Sequence, residues 1–401
     1  MKVAHVCTTA LSHKILLDKL ALMKAMGYEI HLISAPEGYD PELVDRYGFQ
    51  VKFVPMRREI KPLADLLSTF RLASLLRKER YEIVHTHTAK AGVVGRIAAW
   101  LARVPVVVHT THGLPFYDGQ SRLRNRLFRM LEKVGAWFGH AIASQNQEDI
   151  EKIREYAPGA TVYYEGNGVD LDALDRRQEQ ITQEELDALR AEWQIPSGVP
   201  VLLMGARFEP VKDHAYLIDS LRHLKENGVT NYVCVLAGRG ELEESIRSQV
   251  AAYGLTEQVR LVGHQLDIYR WIELSDIVIL SSEKEGIPRI VLEAMTYRKP
   301  IVATDVIGTR EAVIHGTNGL LVTYKNVPEM AMAIGRLLAH EAYRRQLGDE
   351  GRSLVEHAFT ERQVVARIHA YYGELFEKLR YTGKLQLPVE AGYPERSQSM
   401  Q

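Results

Sequence analysis

The chain has 401 residues, of which 46% are hydrophobic and 25% charged. That size and balance predict two or three domains with sizeable cores and exclude a single small module or a disordered chain. Lys+Arg 50 against Asp+Glu 51 leave a formal net charge of -1, which argues against a nucleic-acid binder working by bulk phosphate attraction.

Only Cys7 and Cys234 are present, both inside apolar runs. Neither a disulfide framework nor a cysteine zinc site is expected, and a reducing, cytoplasmic setting fits. No stretch approaches the ~18 apolar residues of a spanning helix, and MKVAHVCTTA lacks a basic-then-apolar leader, so a soluble protein is expected. The charge is uneven: residues 1–170 hold 23 Lys/Arg and 18 Asp/Glu, and residues 171–401 hold 27 and 33.

In chain order, strand-length apolar runs fall at Lys2–Cys7, Glu29–Ser34, Val51–Val54, Glu82–His85, Val104–His109 and His140–Ser144. Helical spacing of apolar residues lies between them at Ile15–Met26, Leu63–Lys78 and Ala91–Ala102. This alternation predicts a parallel sheet covered by helices. After a charged helix over Gln183–Trp193 and the break Ile195-Pro196-Ser197-Gly198-Val199-Pro200, the pattern restarts. Strands are expected at Pro200–Met204, Tyr232–Ala237, Val259–Val262, Ile277–Leu280 and Pro300–Ala303. The fold class is therefore α/β, two doubly wound halves in tandem. A last periodic segment, Thr360–Tyr381, reads as a helix packed outside the second sheet, and residues 383–401 as a polar tail.

Ligands of open parallel sheets bind beyond the carboxyl ends of the strands, so chemistry is sought in the segments just after them. Ser281 to Met295 reads SSEKEGIPRIVLEAM: Glu285 stands in a Gly/Pro loop before a helix over Arg289–Tyr297. Free amides at such a helix start suit a diphosphate, and Glu285 and Glu293 are placed to accept from sugar and ribose hydroxyls. Two acids near a helix start also serve its macrodipole, so spacing leaves both readings open. After the strand at 200–204, Arg207 and Lys212 flank a Pro-containing turn and are suited to a diphosphate. In isolation an ordinary surface turn explains them better. Gly238 and Gly240 follow the next strand, too few glycines for a dinucleotide fingerprint.

In the first half, His85 and His87 precede His109 and His112-Gly113 at neighbouring strand ends. Zinc is disfavoured: no carboxylate or cysteine stands at ligand spacing, and the rings of each His-Thr-His pair are expected to point differently along a strand. Hydrogen bonding to a substrate is the preferred role. No nucleophile elbow or Walker loop appears, and Asp170-Leu171-Asp172 falls in the connector.

The Glu285/Glu293 pair, the Arg207/Lys212 pair, Asn167-Gly168-Val169-Asp170 and His112-Gly113, in this order and separation, resemble the retaining glycosyltransferases of family four. The resemblance runs from Lys2 to about Tyr381. It implies the GT-B architecture, two tandem Rossmann-like domains facing across a cleft. Residues 1–170 would be the acceptor side, residues 171–359 the nucleotide-sugar side, and the helix at 360–381 would return to the first domain.

By the resemblance, Arg207 and Lys212 hold the donor diphosphate and Glu285 contacts the transferred sugar. The amides of Gly286, Ile287, Pro288 and Arg289 line sugar and phosphate, and Glu293 binds ribose. Gly238, Gly263 and His264 flank the base, His112 sits at the sugar and acceptor, and Asn167 lies near the crossing between domains. The glycine pair common after the first strand is absent; Ser12 and His13 of Thr8-Thr9-Ala10-Leu11-Ser12-His13 stand there as side-chain donors.

The function so implied is retaining transfer of a hexose or N-acetylhexosamine, from a UDP-sugar by family frequency, in polysaccharide biosynthesis. The acceptor is a hydroxyl of a glycan, a lipid-linked or envelope glycan included, or of a small molecule. Neither metal nor cofactor is required. The rivals are a nucleotide-sugar epimerase or hydrolase and a non-catalytic nucleotide-sugar-binding subunit. The basic amphipathic stretch at 121–134, with Arg122, Arg124, Arg126, Arg129 and Lys133 among leucines, further predicts peripheral contact with the inner face of the membrane; a solvated helix with one buried face explains it equally.

Overall fold

The computed structural model describes residues 1–117 and 119–380; the polar tail expected at 383–401 lies outside them. The described residues fall into two compact units, residues 1–166 with the closing helix Glu361–Arg380, and residues 167–360. The division lies slightly ahead of the expected 170/171.

The first unit carries β1 (Lys2–Thr9), β2 (Glu29–Ala35), β3 (Gln50–Phe53), β4 (Ile83–His87), β5 (Val106–Thr111), β6 (Ala141–Ser144) and β7 (Thr161–Tyr164) in the order β3-β2-β1-β4-β5-β6-β7. Every pairing is parallel. The second carries β8 (Val201–Gly205), β9 (Val233–Ala237), β10 (Val259–Gly263), β11 (Ile277–Leu280), β12 (Ile301–Thr304) and β13 (Gly319–Val322) in the order β10-β9-β8-β11-β12-β13, again all parallel. The apolar runs form strands because helices cover both faces of each sheet: the central strands are buried along almost their whole length.

Sequence alone misses the last strand of each sheet, and the reason is local. β7, Thr161–Tyr164, is half-buried throughout and lies at the sheet edge; β13 is four residues beginning with a glycine. The closing helix sets Val364, Val365, Ile368, Tyr372 and Phe376 into the same core as Val3, Leu20, Ile83 and Val108. It belongs to the first unit rather than covering the second sheet, which corrects the reading from periodicity. Asp170 caps the helix Leu171–Gln180 through a bond from Ala173 N, 3.1 Å, so the Asp-x-Asp sequence is used as a helix start.

Candidate active site

In the second unit the loops leaving the strands dock on one another through backbone. Ala206 N donates to Ala237 O and Phe208 N to Arg239 O, both at 3.0 Å. A Cβ on Gly238 would meet Ala206 O at 2.0 Å and one on Gly240 would meet Phe208 O at 2.3 Å. These glycines are demanded by the neighbouring loop.

That docking carries the chain into the short turn Pro210–Lys212, which is pinned from below. Glu283 N donates to Val211 O at 2.9 Å and Ser281 Oγ to Lys212 O at 3.1 Å. Asp213, at φ 46, then caps the helix His214–Glu226. The consequence is a fixed Lys212, whose Nζ reaches Glu285 Oε1 at 2.5 Å, with Ser282 Oγ donating to the same oxygen at 2.5 Å. Glu285 is only 8% exposed. Arg207 stands outside this pair: its guanidinium is 63% exposed and bonds Glu209.

The helix Arg289–Thr296 begins after Pro288 with no side-chain cap, and Val291 N turns back to donate to Pro288 O at 3.1 Å. One turn in, Glu293 Oε1 accepts from Arg289 Nε at 3.0 Å and from Tyr269 OH at 3.2 Å. Asn167 belongs to this unit: its Nδ2 donates to Ile287 O at 2.9 Å, and its Oδ1 accepts from Gly168 N at 3.0 Å. It therefore fixes the Gly286–Pro288 loop. Gly263, at φ 72, lends its carbonyl to Gly238 N at 2.8 Å, and His264 beside it is exposed.

The residue that sequence missed here is Gly308, at φ 83. A Cβ there would meet Gly286 O at 2.1 Å. Gly308→Ala is therefore expected to push the Glu285–Gly286 loop out of place and weaken nucleotide-sugar binding at least ~10-fold with the second sheet intact. Calorimetric titration with a UDP-sugar beside circular dichroism checks it; unchanged affinity would count against the loop's role.

The first unit concentrates imidazoles at the carboxyl edge of its sheet. His85 and His87 lie two residues apart on β4, hence on the same face, and their rings stack at 4.4 Å. This overturns the expectation that the two rings diverge. His5 Nδ1 meets His87 Nε2 at 3.0 Å, and His87 Nδ1 meets His112 Nε2 at 3.1 Å. The row His5–His87–His112 thus ends on the buried Nδ1 of His112, with the Gln145 side chain beside that ring. Burial pushes all these rings down, His112 to about 4, so His112 is neutral at pH 7.

Beside the row, Glu165 accepts from Lys19 Nζ at 2.7 Å, from Thr110 Oγ1 at 2.6 Å and from Tyr371 OH at 3.0 Å. Burial alone would raise its pKa, but Lys19, His85 and these bonds hold it down to about 2. Thr110 spends its proton on that carboxylate, so it accepts from His85 Nε2 at 2.6 Å. His85 Nδ1 is then the acceptor for Tyr372 OH, also at 2.6 Å. His85 is thereby committed to holding the closing helix. Its ring nitrogens, with those of His5 and His87, come within 4.8 Å of one another; a cation there would have to break the bonds just described.

His13 is turned inward, its Nε2–H donating to His5 O at 3.1 Å, while Ser12 stays half-buried with its Oγ 3.3 Å from Thr9 Oγ1. Of the two donors expected on this loop, His13 has already spent its proton.

Residues 13–168 match the family model of the glycosyl transferase 4-like domain, and residues 186–354 that of glycosyl transferases group 1. An Escherichia coli protein, UDP-Gal:alpha-D-GlcNAc-diphosphoundecaprenol alpha-1,3-galactosyltransferase, is 29% identical over 347 residues, 84% of this chain and 88% of that one. The capsular polysaccharide biosynthesis glycosyltransferase CapM of Staphylococcus aureus is 22% identical across 94% of this chain and 98% of its own. Among solved structures, a glycosyltransferase from Rickettsia africae superposes with a TM-score of 0.79 at 19% identity, covering 94% of this chain and 98% of that one. Anabaena HepE in complex with UDP and glucose superposes with a TM-score of 0.78 at 20% identity, covering 93% and 100%. The fold is that of the GT-B glycosyltransferases.

Proposed function

Starting from the premise that the chain belongs to the family-four, group 1 glycosyltransferases, we propose that it is a retaining enzyme. It would move a hexose or N-acetylhexosamine from a UDP-sugar to a hydroxyl of a glycan or lipid-linked acceptor, without a metal. The observation that carries this reading is the Lys212–Glu285 ion pair at the carboxyl edge of the second sheet, next to an uncapped helix start. A cation held at 2.5 Å from a nearly buried carboxylate is preorganised: it meets diphosphate oxygens without reorienting as the anomeric bond breaks.

The roles follow from that geometry. Lys212 neutralises charge on the departing UDP, and Arg207, exposed, turns from Glu209 to the same diphosphate. Glu285 accepts from sugar hydroxyls and Glu293 from ribose. His112, neutral, offers Nδ1 to a hydroxyl of sugar or acceptor. The acceptor hydroxyl attacks on the face from which the diphosphate leaves and gives it its proton, so no carboxylate nucleophile is needed.

Thermal-shift screening against sugar nucleotides tests the donor: a ligand at 100 times its dissociation constant stabilises by about 2.7 kcal/mol. Incubation with the responding donor alone then separates transfer from epimerisation, which would convert it without an acceptor. If no sugar nucleotide shifts the melting curve, the reading is lost.

We place the chain at the inner face of the membrane. On the helix Arg122–Trp137 the exposed Leu123, Leu127, Met130 and Trp137 form one stripe, and Arg122, Arg126, Arg129 and Lys133 run beside it at i, i+4, i+7 and i+11. An interfacial helix has this layout. Flotation with phosphatidylglycerol vesicles at low salt is expected, together with its loss at high salt; failure to float at low salt would remove the assignment.

A further inference from the structure

The register of the first sheet sets three imidazoles in a line. His5 on β1 stands opposite His85 on β4, and His87, two residues further toward the carboxyl edge, stands opposite Thr110 on β5. His112 follows just past the end of β5. Residues two apart on a strand share a face, so His5, His87 and His112 step across three neighbouring strands toward the edge. Each link is one hydrogen bond between ring nitrogens: His5 Nδ1 with His87 Nε2 at 3.0 Å, and His87 Nδ1 with His112 Nε2 at 3.1 Å.

A neutral imidazole carries one N–H and one bare nitrogen, and burial keeps all three rings neutral at pH 7. Three rings then hold three protons, two of which are used in the two links. The third stands at one end. Either every ring donates outward, with His5 Nε2 bare and His112 Nδ1 protonated, or every ring donates inward, with His112 Nδ1 bare and His5 Nε2 protonated. Neighbouring rings do not relieve this constraint: His85 is taken by Thr110 and Tyr372, and His13 gives its Nε2–H to the His5 carbonyl.

The inward arrangement leaves a buried N–H on His5 Nε2 with no acceptor among the described residues. A bare nitrogen there is the lesser cost. The surroundings agree. Beyond burial, the ring of His85, the Lys19 ammonium and the ring of His13 all oppose positive charge at His5, whereas at His112 the effect of Lys19 is countered by the Glu165 carboxylate and the Gln145 side chain. His112 is also the half-buried end of the row, His5 and His87 being closed off.

We propose that His5 and His87 are positioning residues for His112: through the row they hold the spare proton on His112 Nδ1, so that His112 donates to a substrate oxygen and does not act as a base. This rests on the reading that His112 faces sugar or acceptor, and it adds the direction of the hydrogen bond and the residues that set it. A hydroxyl that accepts from Nδ1–H keeps its own proton, which is then free to go to the departing diphosphate.

Ring-nitrogen NMR of the full chain with labelled histidines tests the assignment. The His112 signals, identified by their loss in His112→Gln, are expected to show Nδ1 protonated and Nε2 bare at neutral pH. His5→Phe removes the donor to His87 Nε2. It should raise the share of His112 with bare Nδ1 at least ~10-fold and slow UDP release from the sugar nucleotide that responds in thermal-shift screening by about 10-fold, the scale of one hydrogen bond, with water serving as acceptor. His5→Asn, whose amide N–H stands close to the place of Nδ1–H, should restore both. A bare Nδ1 on His112 in the unmodified chain overturns the proposal, and so does an unchanged tautomer in folded His5→Phe. Where His5→Phe does not fold, the spectrum of the unmodified chain decides. A shifted tautomer with an unchanged rate of UDP release would instead overturn the reading beneath, the contact of His112 with substrate.

Discussion

Lys212→Ala is expected to lower the transfer rate about 10²- to 10³-fold, the range seen when one preorganised charge stabiliser is removed from a reaction centre. The turn that carries Lys212 is held by backbone bonds and by Ser281, none of which uses the ammonium, so the loop survives the change. What does not survive is the partner of Glu285. That carboxylate is 8% exposed and, among the described residues, would keep only the bond from Ser282 Oγ. Some stability is therefore lost along with activity, and a fall in rate alone would be ambiguous.

The double variant resolves it. Glu285→Gln beside Lys212→Ala removes the unpaired charge and should recover the melting temperature. Turnover should stay low, because the held cation is gone and Arg207 alone is left to meet the diphosphate. Steady-state rates and melting curves of the two singles and the double measure this. If the double variant recovered turnover as well, Lys212 would merely neutralise Glu285, and the proposed mechanism would fail.

The parts of this site that sequence displayed are those encoded in short segments: Lys212 after one strand, Glu285 and Glu293 around one helix start. Each lies within 13 residues of a readable strand end. The parts it hid are pairings across long separations. Lys19 and Glu165 are 146 residues apart, and neither sits in a pattern that calls for the other. Gly308 carries no motif; its necessity arises from the approach of Gly286 O, known only once two loops are placed. His85 and His87 were visible as residues, yet their division of labour was not. The acid at 165 and the tyrosines at 371 and 372 make His85 structural and leave His87 in the row that ends at His112. The closing helix follows the same logic. Its periodicity announced a helix, but the polar partners that draw it to the first unit, Glu165 for Tyr371 and Arg367 and His85 for Tyr372, lie far upstream.

Acid is expected to unfold the first unit well before the second. His5, His13, His85, His87, His109 and His112 are all buried in it, and burial lowers each, His13 to about 4, His85 to about 3 and His112 to about 4. A ring with a depressed folded pKa contributes its full stability above the unfolded value of about 6.5. As pH falls below 6.5 the unfolded chain takes up protons that the folded one refuses, so stability declines until the folded pKa is reached. Each such ring contributes a slope of up to about 1.4 kcal/mol per pH unit. Against a total of roughly 5–15 kcal/mol for a domain, several rings acting together exhaust the margin between pH 6 and 4. Glu165, held down to about 2, adds its own loss only below the ordinary carboxylate value.

In the second unit the corresponding group is His214, also lowered to about 4, mainly by burial. One lowered ring, against eight in the first unit once His31 and His140 are added to the six above, makes its acid limb shallow. The four tryptophans divide evenly, Trp100 and Trp137 in the first unit, Trp193 and Trp271 in the second. Urea unfolding followed by fluorescence, in single-tryptophan versions at pH 7.5, 6 and 5, therefore reads the units apart. The midpoint of the first should drop steeply over that range while that of the second moves little. Parallel, gentle declines in both would mean that the imidazole cluster is hydrated and charged, and a hydrated, cationic His112 would not be the neutral hydrogen-bonding group required at the acceptor.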